Sequence, residues 1–256
     1  MKTALLAAIL IFSSFAAADT IQNGGFEQGL TGWTVTSVDN GAFNYYYLQD
    51  NSGAAALSGV HVMGAAAGAQ YALSDSIGAG IRSISQNFTA PSVSKIILSF
   101  DMFVNHDANV ANDHQGLAST EPLASAGPAQ QLWNGGVGPV LANNYATVDI
   151  LAAGTDPLGN AVLQNFFLGV TGSNFQINGW RHYSFDVTGL LTPGQQYEIR
   201  FADVAGVDYL QTGVDNVSIG PVPEPTSLLL LGTGLVAGGV LLKRRSASSL
   251  TVKVRA

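Results

Sequence analysis

The sequence predicts an all-β protein, an antiparallel two-sheet sandwich or jelly roll, followed by one C-terminal transmembrane helix. Between residues 19 and 220, short runs of alternating apolar and polar residues are separated by clusters of Gly, Pro and Asn, a pattern typical of antiparallel strands. The same region shows no sustained helical periodicity. Residues 226–242 contain no charge, and their number is just enough for a helix to cross the hydrocarbon core of a bilayer.

Residues 1–18 are predicted to be a secretory signal peptide and not part of the fold. Lys2 gives a positive start, residues 4–15 are apolar, and three alanines at 16–18 suit cleavage by signal peptidase. We therefore expect the mature chain to begin at about Asp19. The exported domain, residues 19–220, has a suitable length for one large β domain.

Nine runs in the exported domain are predicted to be strands. The clearest run alternates Leu98, Phe100 and Met102 on one face with Ser99 and Asp101 on the other. A set of short strands with polar outer faces is usual for a sandwich or jelly roll. In chain order the nine runs are 32–36, 43–48, 82–89, 95–103, 145–151, 162–168, 180–187, 196–202 and 213–219.

Residues 105–144 do not follow this rhythm. They show little alternation and contain several turn signals, and 40 residues exceed the length of an ordinary connection. We expect this segment to be a functional loop, an insertion at the rim of the sandwich or a mobile region.

The charge of the exported domain excludes one class of partner. Residues 19–225 contain 17 acidic side chains against four basic ones, which gives a net charge of −13. Nucleic-acid binding requires clustered basic residues and is therefore excluded. This acidity suits a soluble surface protein, or one that holds divalent cations. The chain has no cysteine, so disulfides and thiolate metal sites are excluded as well.

The C-terminal part combines three features in a fixed order. A rigid Pro223, Glu224 and Pro225 precede the apolar residues 226–242, and a Lys-Arg-Arg cluster at 243–245 follows them. The basic cluster and residues 246–256 are expected to stay on the cytoplasmic side of the membrane. A plain C-terminal anchor would show the apolar run, but it does not require the Pro-Glu-Pro.

Over residues 221–245 this order resembles the PEP-CTERM sorting signal. The resemblance implies that an exosortase, a membrane protease-transpeptidase, reads Pro223, Glu224 and Pro225 and removes the tail. The protein would then be exported across the inner membrane and anchored transiently by the C-terminal helix. It would end at the cell surface or outside the cell.

The exported domain carries motifs that resemble galactose-binding-like β-sandwiches, which include several carbohydrate-binding modules. The resemblance implies the same fold and allows for sugar binding. It rests on residues 23–27 and 29–33 for the first strand, 84–89 and 98–101 for a middle pair, and 180–201 and 214–219 for the closing strands.

That resemblance implies a structural Ca²⁺ where the first and last strands lie side by side. The ligands would be the Gly25 carbonyl and the carboxylates of Glu27 and Asp215. Strand alternation separately places Asp215 on the same face as Val217 and Ile219, so it predicts an inward carboxylate that a hard cation would compensate. The alternative is that Asp215 accepts hydrogen bonds from backbone amides while Glu27 is solvated.

Three consecutive tyrosines, Tyr45, Tyr46 and Tyr47, are the candidate ligand-binding residues. Aromatic rings can stack on sugar rings, and at least one of three consecutive side chains on a strand must point outward. The alternative is a core or edge strand in which alternate aromatic side chains point inward.

No catalytic motif stands out in the sequence. It contains neither a Gly-x-Ser-x-Gly elbow nor a His-Glu-x-x-His motif, and it has no phosphate-binding loop. We therefore predict a non-catalytic surface or extracellular-matrix protein, associated with exopolysaccharide or biofilm, that binds carbohydrate. The alternatives are a secreted glycan hydrolase with paired carboxylates, and a structural coat protein without a ligand.

Overall fold

The computed structural model describes residues 20–39, 45–51, 56–76, 80–106, 145–159, 161–169, 177–205 and 210–221. The predicted signal peptide, residues 107–144 and the predicted sorting signal from residue 222 onward lie outside these ranges. Within the described ranges, no helix is long and apolar enough to span a membrane.

The described part of the chain is all-β, and its strands form two sheets, which confirms the predicted sandwich. The first sheet has the strand order β2-β5-β10-β7-β8 and the second has the order β3-β4-β11-β6-β9. Every pair of neighbouring strands is antiparallel. The strands are β1 (Glu27–Leu30), β2 (Thr34–Asp39), β3 (Tyr46–Asp50), β4 (Gln70–Ser76), β5 (Gly80–Thr89), β6 (Ile97–His106), β7 (Tyr145–Ala152), β8 (Val162–Gly169), β9 (Arg181–Asp186), β10 (Gln196–Ala205) and β11 (Leu210–Gly220).

All nine predicted runs coincide with strands. The alternation pattern did not reveal β1 or β4, although the resemblance placed a first strand over residues 23–27 and 29–33. β1 has only four residues. In β4 the inward residues are Ala72 and Ser74, which are too small to contrast with Tyr71 and Leu73 on the other face. The predicted irregular segment also begins too early, because β6 continues to His106.

The main core lies between the two sheets. Phe100 of β6 packs edge-on against Phe201 of β10, with ring centroids 5.2 Å apart at 83°. On its own sheet, Phe100 stacks on Tyr183 of β9 at 5.1 Å. Both phenylalanines are completely buried, so the alternation read from the sequence identifies the inward faces of β6 and β10 correctly.

Five of the strands end on the same side of the sandwich, which we call the rim. In the first sheet, antiparallel pairing places the last residues of β2, β8 and β10 beside the first residues of β5 and β7. In the second sheet, it places the last residues of β4 and β6 beside the first residue of β11. Leu210 pairs with both Ser76 and His106, for example, and Val204 pairs with Tyr145. The two strand ends that flank residues 107–144 therefore lie at the rim, as does the start of β3.

A second hydrophobic cluster covers the outer face of the second sheet. Residues 56–69, which connect β3 to β4 and are called the cover segment here, lie over Tyr71, Phe103 and Trp180. The Tyr71 hydroxyl donates to the Met63 carbonyl at 2.7 Å, and Trp180 Nε1 donates to the Gly64 carbonyl at 2.7 Å. The cover segment is therefore fixed to the sheet at several points along its length.

Gly213 is the cross-strand partner of Phe103 on this covered face. A Cβ atom at Gly213 would overlap the Phe103 ring, which occupies the space a side chain would need. We predict that Gly213→Ala lowers the free energy of unfolding by about 1–3 kcal/mol, because the ring and its neighbours must shift. Urea unfolding measures this change.

Gly189→Ala is the matched control, because a Cβ atom there meets no neighbouring atom and the backbone is not left-handed. The control should be neutral or slightly stabilising, since alanine restricts the unfolded chain. Equal effects of the two substitutions would contradict the packing of Phe103 on Gly213.

Candidate functional site

A β-bulge in β11 decides where the predicted metal ligand Asp215 points. The pairing of β11 with β6 shifts between Asp215 and Ser218, and Asn216 has a left-handed backbone with φ of 51°. As a result Val214 and Val217 both face the core. Asp215 points away from them, toward the cover segment. The prediction that Asp215 shares a face with Val217 and Ile219 was therefore wrong, because sequence alternation does not reveal the extra residue of a bulge.

Asp215 is nevertheless fully buried, and it binds the backbone of the cover segment. Its Oδ2 atom accepts hydrogen bonds from the backbone N–H groups of Ala66 at 3.0 Å and Ala67 at 3.1 Å. Its Oδ1 atom accepts from the Asn216 N–H at 2.8 Å. These contacts agree with the alternative given in the sequence analysis, in which Asp215 accepts hydrogen bonds from backbone amides.

Glu27 holds the next part of the same backbone. Its Oε1 atom accepts hydrogen bonds from the N–H groups of Ala69 at 2.8 Å and Gln70 at 3.0 Å. Gly68 must be glycine here, since its φ is +66° and a Cβ atom would overlap Glu27 Oε1. Glu27 is exposed to solvent, but it is also a structural acceptor.

The residues that precede β1 lie beside β11, whereas β1 itself lies beside β3 and β4. The Val217 N–H donates to the Gly24 carbonyl at 2.9 Å. A Cβ atom placed on Gly25 would lie 4.0 Å from Asp215 Oδ1 and 3.9 Å from Asn216 Oδ1. The structure thus brings Gly25 next to Asp215, and it places Glu27 on the adjoining residues of the cover segment.

The charge balance around Asp215 is unfavourable. Burial raises the pKa of its carboxyl group from 3.8 to about 6; the three backbone amides oppose this rise, and the nearby Asp101 charge adds to it. In the described part of the chain, no ion pair includes Asp215. Asp101 itself contacts His182 Nδ1 at 2.8 Å and accepts from Asn216 Nδ2 at 2.7 Å.

The described residues offer a cation at Asp215 few side-chain ligands. Within the described ranges, no three His, Asp or Glu side chains are placed to share a metal. A Ca²⁺ ion at Asp215 would therefore take carbonyl oxygens, such as that of Gly25, and water for most of its six to eight ligands.

The three tyrosines have three different environments. Tyr46 is 1% exposed and belongs to the core, so its predicted role in ligand binding was wrong. Tyr47 is half-buried; its hydroxyl donates to Asp75 Oδ2 at 3.4 Å and accepts from the Leu57 N–H at 3.1 Å. Tyr45 is 45% exposed and packs edge-on against Tyr47, with centroids 6.3 Å apart.

A buried polar network under Tyr47 was not predicted. Gln211 Nε2 donates to Asp75 Oδ1 at 2.9 Å, and Gln211 Oε1 accepts from Asn105 Nδ2 at 3.0 Å. Asn105 Oδ1 accepts from the Asn178 N–H at 2.7 Å. These side chains come from distant parts of the sequence, so no local pattern could have revealed the network. The network fixes Asp75, to which the Tyr47 hydroxyl donates, and so supports the Tyr45–Tyr47 pair.

The remaining functional signal lies in the C-terminal part. Residues 221–245 match the model of the PEP-CTERM protein-sorting motif. This segment is a PEP-CTERM sorting motif. It implies an exported protein that exosortase processes, and it contains the predicted Pro223, Glu224 and Pro225. The comparison with curated proteins found no match.

Solved structures similar to this chain include an adhesin domain and a cyclase. One is TmCBM61 in complex with β-1,4-galactotriose, at 10% identity and a TM-score of 0.45, covering 80% of this chain and 100% of that one. Another is the K3 cleaved adhesin domain of Lys-gingipain from Porphyromonas gingivalis, at 14% identity and a TM-score of 0.47, covering 79% and 97%. A third is the Stig cyclase Fisc from Fischerella sp., at 17% identity and a TM-score of 0.41, covering 78% and 95%. Together they do not distinguish binding from catalysis.

The raised pKa of Asp215 gives a pH test of this site. A carboxyl group whose pKa is raised on folding stabilises the protein below its unfolded pKa, and this contribution is lost as pH rises through the folded value. Without divalent cations, we predict that Asp215→Asn gains stability relative to the wild type between roughly pH 4 and pH 7. The gain should be at most about 3 kcal/mol.

Asp186→Asn is the control with the opposite sign. Hydrogen bonds from the Thr188 hydroxyl and N–H lower the pKa of Asp186, so its contribution is present above 3.8 and is lost on acidification. Urea unfolding between roughly pH 2 and pH 7 measures both variants, because the Asp186 contribution changes only below about pH 4. A stability difference for Asp215→Asn that does not change with pH would contradict the raised pKa.

Proposed function

We propose that this protein is exported and processed at its PEP-CTERM motif, and that its sandwich then binds carbohydrate at the cell surface without cleaving it. The observation that supports this most directly is the exposed ring of Tyr45 at the rim. Aromatic faces pack against the apolar faces of sugars, and ligand sites combine such surfaces with a few fixed polar groups. We further propose that the ligand is part of an extracellular polysaccharide in a biofilm.

The surface around Tyr45 has the stiffness that a binding platform requires. Tyr47 supports the Tyr45 ring, and its hydroxyl is held at two points, by Asp75 and by the Leu57 N–H. Leu57 adds apolar surface, since 46% of it is exposed. A ligand therefore meets side chains that are already ordered, which reduces the entropy lost on binding.

Charge favours a neutral polysaccharide over an acidic one. Arg82 and Arg200, two of the four basic residues of the exported domain, are buried in ion pairs with Asp203 and Asp149. They leave few positive charges on an acidic surface, so a polyanion would be repelled at low salt. An acidic polysaccharide would bind only if divalent cations bridged the two.

Tyr45→Ala is the test of the binding platform. We predict that it weakens retardation in native gels containing a neutral polysaccharide, such as a β-1,4-galactan or a glucan, by about tenfold, a usual loss for an aromatic residue central to an interface. Leu163→Ala is the control, because Leu163 is also exposed, at 47%, but lies on β8.

The same samples test the alternative of a glycan hydrolase. A binding protein leaves the reducing ends of the polysaccharide unchanged, whereas a hydrolase releases new ones. If the wild-type protein releases new reducing ends, it is a hydrolase and the proposal of binding without cleavage is wrong. Retardation that is unchanged in Tyr45→Ala would place the ligand elsewhere.

We also propose that Gly25, Glu27 and Asp215 belong to a structural Ca²⁺ site. A bound ion would supply the positive charge that the protein does not give Asp215, and it would leave the cover segment attached through Glu27 and the backbone. Asp215 is five residues further along β11 than Leu210, about 17 Å from the rim. The ion would therefore stabilise the fold without contacting a ligand at Tyr45.

Calcium should raise the thermal unfolding midpoint of the exported chain. An ion that binds only the folded state adds about 2.7 kcal/mol at a hundredfold excess over its dissociation constant. We predict that Asp215→Ala abolishes this rise, and that Asp156→Ala, an exposed acid in the β7–β8 connection, preserves it. A wild-type midpoint that is the same in Ca²⁺ and in chelator would overturn the site.

A further inference from the structure

A cluster of polar side chains lies inside the sandwich just below the rim. Arg82 and Asp203 are register partners on β5 and β10, both are fully buried, and Arg82 Nη1 donates to Asp203 Oδ1 at 2.7 Å. On the opposite sheet, Tyr46, Ser74 and Thr212 lie side by side on β3, β4 and β11. The cluster therefore joins the two sheets.

Four oxygen atoms of this cluster are buried, and none of them has a hydrogen bond of good geometry. They are Asp203 Oδ2, Tyr46 Oη, Ser74 Oγ and Thr212 Oγ1. Burial raises the pKa of Asp203, whereas the Arg82 charge and polar contacts with Ser74 and Thr212 oppose that rise. Burial and the Asp203 charge raise the pKa of Tyr46. The side chains therefore approach one another closely, but their contacts lack the geometry of good hydrogen bonds. Leaving four buried polar atoms unsatisfied is costly, and native proteins rarely do so.

The chemistry of these atoms selects the kind of molecule that could satisfy them. Asp203 Oδ2 can only accept a hydrogen bond while ionised, whereas the three hydroxyl groups can both donate and accept. A metal cation is disfavoured because Arg82 already compensates Asp203. Water is neutral, it donates two hydrogen bonds and accepts two, and buried waters in proteins typically bind about three polar groups.

We propose that one buried water molecule is a fixed part of this cluster. It donates to Asp203 Oδ2 and bonds to hydroxyl groups of Tyr46, Ser74 or Thr212 on the facing sheet. This water therefore connects β10 with β3, β4 and β11 at the end of the sandwich where β3 begins. The proposal does not depend on carbohydrate binding, because every group involved lies in the core.

A crystal structure of the exported chain, at a resolution that shows ordered waters, tests the proposal directly. We expect a water within hydrogen-bonding distance of Asp203 Oδ2 and of at least two of the three hydroxyl oxygens. Direct hydrogen bonds from the hydroxyl groups to Asp203, with no water density in the cluster, would overturn it.

Stability measurements give a second readout. Tyr46→Phe and Thr212→Val each remove one hydroxyl, and each should raise the unfolding equilibrium constant by about fivefold. If one water links the two groups, the double variant should lose less than the product of the single losses. Tyr45→Phe and Thr34→Val are the controls, since both residues are exposed and neither change should matter. Fully additive losses would argue against a shared water, and if the variants do not fold, the wild-type crystal structure decides.

Discussion

The bulge at Asn216 is the constraint on which the rest of this structure depends. β11 lies between β4 and β6, so its register fixes the whole second sheet. Without the extra residue, strict alternation would point the Asp215 side chain toward the apolar core, where an unpaired carboxylate is costly. With it, Val214 and Val217 both enter the core, and Asp215 turns to the cover segment instead. The same distortion lets the Val217 N–H bind the Gly24 carbonyl, which attaches the start of the domain to its end.

The acidity of the exported domain is partly structural. The cover segment lacks regular secondary structure, so its backbone N–H groups need acceptors from elsewhere. Carboxylates supply several of them: Asp75 binds the Ser58 N–H, and Asp215 binds those of Ala66 and Ala67. Glu27 binds the Ala69 N–H and also that of Gln70 at the start of β4. Hydrogen bonds to an ionised acceptor are stronger than neutral ones, which suits a segment that no strand pairing holds. Composition alone suggests solubility, but these acids have specific partners.

Features that depend on neighbouring residues in the sequence could be predicted, whereas features that depend on distant residues could not. The strand that contains Phe100, β6, was predictable because large apolar residues alternate with small polar ones. The strand that contains Ala72, β4, was not predictable because its inward side chains are small. The burial of Asp215 was predictable, but its direction was not, since the bulge arises from packing against Gly24 and the pairing with β6. The sequence predicts that Tyr45 and Tyr46 point to opposite sides of the chain. It does not indicate which of the two faces the core. The partners of Asp75 and of Asp203 lie far away in the chain, so their networks appear only in the folded structure.

Four carboxylates are fully buried in the part of the chain that the structure describes, and a comparison of them shows why Asp215 differs from the rest. Two of them pair with an arginine, Asp149 with Arg200 and Asp203 with Arg82. Asp75 accepts hydrogen bonds from a backbone amide and from the side chains of Gln211 and Tyr47. Asp215 has three backbone amides and a second carboxylate, Asp101, close enough to raise its pKa. Removing a charged partner from a buried ion pair costs about 3–5 kcal/mol, because the remaining charge is buried without compensation. By the same argument, a bound cation stabilises most a buried carboxylate that has no positively charged protein partner. That difference makes Asp215, among these four, the carboxylate at which a divalent cation would contribute most to stability.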